Sequence, residues 1–209
     1  MTFLFDIGRV LLDFDFRPSI SRLFPPDVTD PEGRLELLLE RKDDFEAGKI
    51  SVDDYIPWAL DTLGSRATAD EFRHAWQQIF TPNEPMWRRV RQLAADGHRL
   101  ILFSNINGIH WPWITHAFPE FSLFPEAILS FATGSIKPQP GIYQHAIATH
   151  GLIPAETLYI DDMAANCATG RALGFRTWEY DLHDHPAFES WLSQNLKSEI
   201  SNLYTSCPP

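Results

Sequence analysis

The chain has 209 residues, 44% of them hydrophobic and 22% charged, which fits one large globular domain or one domain carrying a small second one, and argues against a disordered or collagen-like chain. Twenty-eight acidic against 17 basic side chains leave a net charge of −11. So acidic a surface repels phosphate backbones and anionic bilayers, which argues against nucleic acid and membrane as partners; a small anionic substrate must meet local positive charge or a metal ion.

A domain of this size buries about 70% of its unfolded surface and needs no disulfide or structural metal. Cys167 and Cys207 form no C-x-x-C pair and fit a reducing compartment. No run reaches the roughly 18 apolar residues of a membrane span. Phe3-Leu4-Phe5 is cut short by Asp6, too early for a secretory h-region. The expectation is a soluble cytoplasmic protein of unspecified oligomeric state.

In chain order, residues 2–5 read as a first buried strand. Residues 16–82 then hold no convincing strand but three helical patterns, at 35–39, 51–63 and 69–80. Ser51 and Asp54 have capping-box spacing at the start of the second. From there short apolar runs alternate with helical patterns: helix 84–96, strand 99–103, helix 109–118, strand 127–130, helix 141–150, strand 158–160, helix 164–173 and strand 175–178. Gly97, Gly151 and Gly174 stand where helix C-caps are expected. This alternation predicts an α/β fold, a Rossmann-like doubly wound parallel sheet. Residues 1–15 and 83–197 form the expected core, 16–82 a small helical cap inserted after the first strand, and 198–209 a flexible tail.

Ligands of open parallel sheets bind beyond the carboxyl ends of the strands. Asp6 follows the first strand, Ser104-Asn105 the second, the segment ending in Lys137 the third, and Asp161-Asp162 the fourth. A nucleophilic carboxylate splits phosphate-ester hydrolysis into two displacements, and its repulsion of the phosphate calls for a hard divalent cation. In this reading Asp6 attacks, and Asp6, Asp162 and the Gly8 carbonyl ligate Mg²⁺, with Asp161 beside them. Lys137 neutralises the phosphoryl charge, and the Ser104 hydroxyl and the Asn105 segment donate to its oxygens.

The set resembles the haloacid-dehalogenase superfamily of hydrolases, with Asp6, Ser104, Lys137 and Asp161-Asp162 standing at its four motifs. Phe-Asp-Ile-Gly-Arg-Val, Ser-Asn-Ile-Asn, Lys-Pro-Gln-Pro-Gly-Ile-Tyr, Asp-Asp-Met-Ala-Ala-Asn and, in the cap, Glu46-Ala-Gly48-Lys-Ile50-Ser51 are similar to its glucose-1-phosphatase-like branch. The resemblance implies a Rossmann-like core and a Mg²⁺-dependent phosphomonoesterase acting on a small phosphorylated metabolite, a sugar phosphate such as glucose 1-phosphate among them. Most phosphatases of the superfamily carry a general-acid Asp two residues after the nucleophile; here that residue is Gly8, so better leaving groups are expected to react faster. Two alternatives stand beside this reading: a metal-independent haloacid dehalogenase, against which the acidic pair speaks, and a non-catalytic binding protein.

Other residues stay open. Asp13-Phe14-Asp15 is a second Asp-x-Asp, but it does not end the first strand and reads as lying near the site entrance. Asn166 supports the acidic loop or is a plain helix residue, and Arg9 touches phosphate or faces solvent. His183 and His185 lack a third metal ligand and read as a surface loop. Trp111 and Trp113 read as packing residues, and Cys167 as a helix-packing thiol with no base beside it.

Overall fold

The computed structural model describes the backbone of residues 1–205 and the side chains of residues 1–197. The chain opens with β1 (Thr2–Phe5) and β2 (Leu12–Phe14), then runs through α1 (Arg17–Ile20), α2 (Pro31–Glu40), α3 (Lys42–Glu46), α4 (Val52–Leu63) and α5 (Ala69–Gln77). It returns by β3 (Phe80–Pro82), followed by α6 (Glu84–Ala95), β4 (Arg99–Ser104), α7 (His110–Ala117), β5 (Glu126–Leu129) and α8 (Ser130–Thr133). The last elements are α9 (Pro140–His150), β6 (Thr157–Asp161), α10 (Ala164–Ala172), β7 (Arg176–Glu179) and α11 (His185–Thr205).

Five strands form one parallel sheet in the order β5-β4-β1-β6-β7. β1 is central because its side chains are apolar on both faces. Phe3 and Phe5 point into a cluster with Trp87 and Val90 of α6 and Phe188 of α11, whereas Leu4 joins Ile142 and Tyr143 of α9 on the other side. All three β1 residues are fully buried, and each buried side chain contributes about 1.5–3 kcal/mol of apolar burial. β1 is also the switch point: the chain winds outward through β4 and β5, then returns to β6 and β7 on the opposite side. Phe5 lies level with Leu102 and with Ile160, so the ends of β1, β4 and β6 open onto one crevice.

Helices α1 to α5 enclose a second apolar cluster that includes Leu38, Phe45, Tyr55, Phe72 and Trp76. Its centre is a face-to-face stack of Phe45 on Tyr55, centroids 3.9 Å apart. Ser51 caps α4, and Thr68 with Glu71 closes a full capping box on α5.

Three differences from the sequence reading have physical causes. The helical pattern at 69–80 ends at Gln77, because Phe80–Pro82 pairs antiparallel with Leu12–Phe14. Three-residue strands are too short to show a period of two, and this pair closes across more than 60 residues of intervening chain. Ser130 leaves β5, because its Oγ accepts from Ile106 N and donates to Ile106 O. Finally, α11 continues past Ser198 to Thr205, where the sequence reading placed a tail; 206–209 lie outside the described residues. Among the described residues no helix is long and apolar enough to cross a membrane.

A candidate active site at the strand ends

Lys137 organises the site. Its side chain is 1% exposed, with Nζ 2.5 Å from Asp161 Oδ2, 3.0 Å from Asp6 Oδ1 and 2.8 Å from the Phe103 carbonyl. Burial alone would lower its pKa, but the carboxylates of Asp161 and Asp6 outweigh that and raise it, so the ammonium persists. The loop carrying it is pinned by Asn105, whose Nδ2 donates to the Lys137 carbonyl and whose Oδ1 accepts from the Lys137 N–H. Asn105, expected on the phosphate, therefore directs its side chain to the lysine backbone while the residue still lines the cavity.

Asp161 is fully buried, and each of its oxygens accepts two hydrogen bonds. Oδ2 takes Lys137 Nζ and the Tyr159 hydroxyl, and Oδ1 takes Met163 N and Asn166 Nδ2. Burial pushes its pKa up, yet Lys137 and the hydrogen bonds bring it below the ordinary value. Asn166, left open by the sequence, thus supports the acidic loop.

The other two carboxylates lack such compensation. Desolvation raises the pKa of Asp6 despite Lys137, and Asp6 Oδ1 is buried without an aligned hydrogen bond. Burial, then repulsion by Asp6 and Asp161, pushes Asp162 up to about 7. Oxygens of Asp6, Asp161 and Asp162 lie within 4.8 Å of one another. Three crowded carboxylates sharing one ammonium, with Asp6 Oδ1 held by an ion pair and no aligned hydrogen bond, make a donor set suited to a hard cation.

Asp6, Gly8, Ser104, Lys137 and Asp162 line one cavity of about 130 Å³. Its far wall comes from the cap and the β2–β3 ribbon: Lys42, Glu46, Phe14, Phe16 and Phe80. Glu46 is 6% exposed and accepts from Lys42 Nζ at 2.9 Å. His110, also on the wall, is buried and neutral. Its Nε2 donates to the Trp76 carbonyl and its Nδ1 accepts from Asn107 Nδ2, and burial lowers its pKa to about 3.

The remaining sequence candidates lie elsewhere. Asp13 pairs with Arg9, whose guanidinium also sits over the Phe14 ring, so Arg9 does not face the cavity. Asp15 accepts from the Arg17 N–H. His185 contacts Tyr180 and Glu189, and Trp111 and Trp113 pack against Phe121 and Phe118. Burial raises the Cys167 thiol to about 12, which leaves it inert. The sequence reading placed Asp13-Phe14-Asp15 near the site entrance, where Phe14 lies, but missed Lys42, Glu46 and His110 as cavity residues. Their one sequence signal was the Glu46-Ala-Gly48 segment; the others become neighbours only when cap meets core.

No protein-family model matches the chain. It is 29% identical to D-ribitol-5-phosphate phosphatase of Bacteroides thetaiotaomicron over 188 residues, 84% of this chain and 89% of that one. The structure of a HAD-like family hydrolase from Porphyromonas gingivalis superposes with a TM-score of 0.71 and 28% identity, covering 91% and 97% of the two chains. A HAD family enzyme from Bacteroides thetaiotaomicron, in complex with magnesium and inorganic phosphate, superposes with a TM-score of 0.73 and 24% identity over 87% and 94%.

Proposed function

This chain is a haloacid-dehalogenase (HAD) family hydrolase, and we propose that it is a magnesium-dependent phosphatase that hydrolyses a small phosphate monoester through an aspartyl-phosphate on Asp6. The observation that carries the reading is the Lys137 ammonium set between Asp6 and Asp161 at the mouth of β1, β4 and β6. The ammonium 3.0 Å from Asp6 Oδ1 opposes the desolvation that raises this carboxyl, and the carboxylate form of Asp6 is the one that attacks in this reading. The similarity to D-ribitol-5-phosphate phosphatase supports the same chemistry.

Asp6, Asp162 and the Gly8 carbonyl would hold the magnesium ion, with Asp161 alongside; bound there, it neutralises the phosphoryl oxygens and the carboxylates that face them. Everything else is done by the chain. Lys137 holds Asp6 in the attacking position and offsets charge on the phosphoryl group. Ser104, at the end of β4, presents its hydroxyl to that group. Asp161 acts through Lys137, fixing the ammonium by its 2.5 Å contact. The division into a core of 1–15 and 83–197 and a cap of 16–82 puts the substrate's alcohol portion against Phe14, Phe16 and Phe80. That narrow aromatic wall suits a compact leaving group of sugar or polyol size, with glucose 1-phosphate as the first candidate.

Phosphate release from a panel of sugar, polyol and aryl phosphates tests this, with magnesium and with excess EDTA. Turnover is expected with magnesium, none with EDTA, and recovery on adding the metal back. Asp6→Asn should reduce turnover by at least ~10⁴-fold with folding intact, since it removes the nucleophile, while Asp13→Asn keeps most of it. Activity that survives the chelator, or an active Asp6→Asn, would overturn the reading.

A further inference from the structure

Gly8 stands where a proton-donating side chain would follow the nucleophile, and the structure gives a spatial reason for the glycine. A Cβ at residue 8 would meet Phe14 Cε1 at 3.0 Å, so the aromatic ring already occupies that space. A side chain that protonates the leaving group therefore has to stand elsewhere on the wall of the cavity.

Among the described residues the acidic side chains on that wall are Asp6, Asp162 and Glu46. Asp6 is the proposed nucleophile and Asp162 a proposed cation ligand. Asp13 and Asp15, on the neighbouring strand and turn, are engaged by Arg9 and by the Arg17 N–H and do not line it. His110 has its one N–H on the Trp76 carbonyl. Lys137 is fixed between two carboxylates. Glu46 remains.

Its placement is built in. Glu46 ends α3, and two residues later Gly48 adopts φ +68°, with its missing Cβ 2.3 Å from the Phe131 carbonyl. Only glycine combines that backbone conformation with that approach, so the end of α3 is seated directly against the core. Lys42, one turn earlier on the same helix face, also lines the cavity and gives Glu46 its one hydrogen bond among the described residues, to Oε2. Oε1 has no partner.

We propose that Glu46, a cap residue, is the general acid–base of this site. As Asp6 attacks phosphorus and the P–O bond to the alcohol breaks, the Glu46 carboxyl gives its proton to the departing oxygen, releasing the neutral alcohol. In the second step the Glu46 carboxylate takes a proton from the water that attacks the aspartyl-phosphate. Hydroxide adds to phosphorus, inorganic phosphate leaves, Asp6 is regenerated as carboxylate and Glu46 as acid. The charged and titratable groups facing Glu46 are Lys42 and Asp43 of its own helix, Tyr55 of α4 and Asp6 of the core. Burial, opposed by Lys42, holds its carboxyl above the ordinary range, which favours the protonated form needed in the first step.

The inference rests on the phosphatase reading, and the experiment separates the two. Kinetics are measured with magnesium on 4-nitrophenyl phosphate and benzyl phosphate, esters of similar size whose leaving oxygens differ greatly in acidity. In the wild type, kcat/KM should depend only weakly on the leaving group, because the poorer one is protonated. Glu46→Gln should lower kcat/KM about 10²–10⁴-fold for benzyl phosphate and less than about tenfold for 4-nitrophenyl phosphate. It should also show a burst of about one nitrophenol per enzyme, as the phosphorylated Asp6 waits for a base. Equal losses on both esters, or none, would overturn the role of Glu46 while leaving the phosphatase reading intact. Should Glu46→Gln fail to fold, the wild-type series still decides, since a steep dependence on leaving-group acidity excludes a protonating residue. A wild type that releases phosphate from neither ester overturns both.

Discussion

At residue 8 the structure replaces a chemical explanation with a steric one. Gly8 has no left-handed backbone to accommodate; what it provides is room for Phe14, which in turn lies against Phe16, Phe80 and the Arg9 guanidinium. Gly8→Ala therefore overpacks a contact that is already tight, and should cost about 1–3 kcal/mol in urea unfolding. Phe14→Ala removes the obstacle. In a chain carrying both changes, the added cost of the alanine at 8 should shrink to below about 0.5 kcal/mol, a coupling that the double-mutant cycle reads directly. Strict additivity of the two substitutions would mean that the ring does not set the identity of residue 8. The same contact explains why an Asp cannot simply be restored there: its side chain would have to displace the Phe14 ring that lines the cavity.

At the scale of elements, the sheet edge is tied by a cluster that joins three of them. Arg99, which begins β4, donates from Nε and Nη2 to Glu126, which begins β5, and its Nη2 also reaches the last carbonyl of α9, at His150. His150 Nδ1 adds a third contact to Glu126 at 2.8 Å. These hydrogen bonds, Arg99 foremost, lower the Glu126 carboxyl to about 2. A depressed carboxylate stabilises the fold above its ordinary pKa of 4.5, and the stabilisation disappears as pH falls toward 2. Both side chains are about a third exposed, so solvent screening limits the effect: Glu126→Gln should cost about 1 kcal/mol and about 2–4 °C of Tm at pH 7, with the difference from wild type gone near pH 2. An unchanged Tm at pH 7 would make the cluster a surface ornament. Elements such as these also mark how far the sequence was legible. β1, β4 and β6 are visible because each is a short, nearly unbroken apolar run ending in a polar residue, and those end residues are the site. β2 and β3 are invisible because three residues carry no period and their pairing joins distant parts of the chain. Lys42 and Glu46 are invisible as site residues for a related reason: in sequence they are two charges on a solvated-looking helix, and only the docking of α3 against Phe131 brings both to the cavity and buries Glu46.

For the molecule as a whole, the far wall of the cavity exists only while the helical insert stays seated on the core, and His110 joins the two. It lies on α7, just beyond the loop that follows β4; its ring stacks on Trp76 of α5, with an interplanar angle of 13°, and its Nε2–H closes on the Trp76 carbonyl. The Asn107 side chain completes the joint, donating to Nδ1 and accepting from the Ile109 and His110 N–H groups. This geometry accepts neutral imidazole alone, because a proton on Nδ1 would face the Asn107 amide and burial would leave the charge unsolvated; the pKa falls to about 3. The unfolded chain, in contrast, gains the proton near 6.5. Between those two values the unfolded state binds more protons than the folded one, so stability must rise with pH and fall on acidification. Each unit below 6.5 removes up to about 1.4 kcal/mol through this one side chain. His110→Phe keeps the ring stack, removes the titration and leaves the Trp76 carbonyl unpaired, so at pH 7.5 it should be less stable than wild type by about 1–3 kcal/mol. As the pH is lowered to 5 the gap should narrow by about 2 kcal/mol, because only the wild type acquires the penalty. Urea unfolding of both proteins at a series of pH values measures that gap. A constant gap would mean that His110 takes up its proton without leaving the fold, and that some other contact holds the cap against acid.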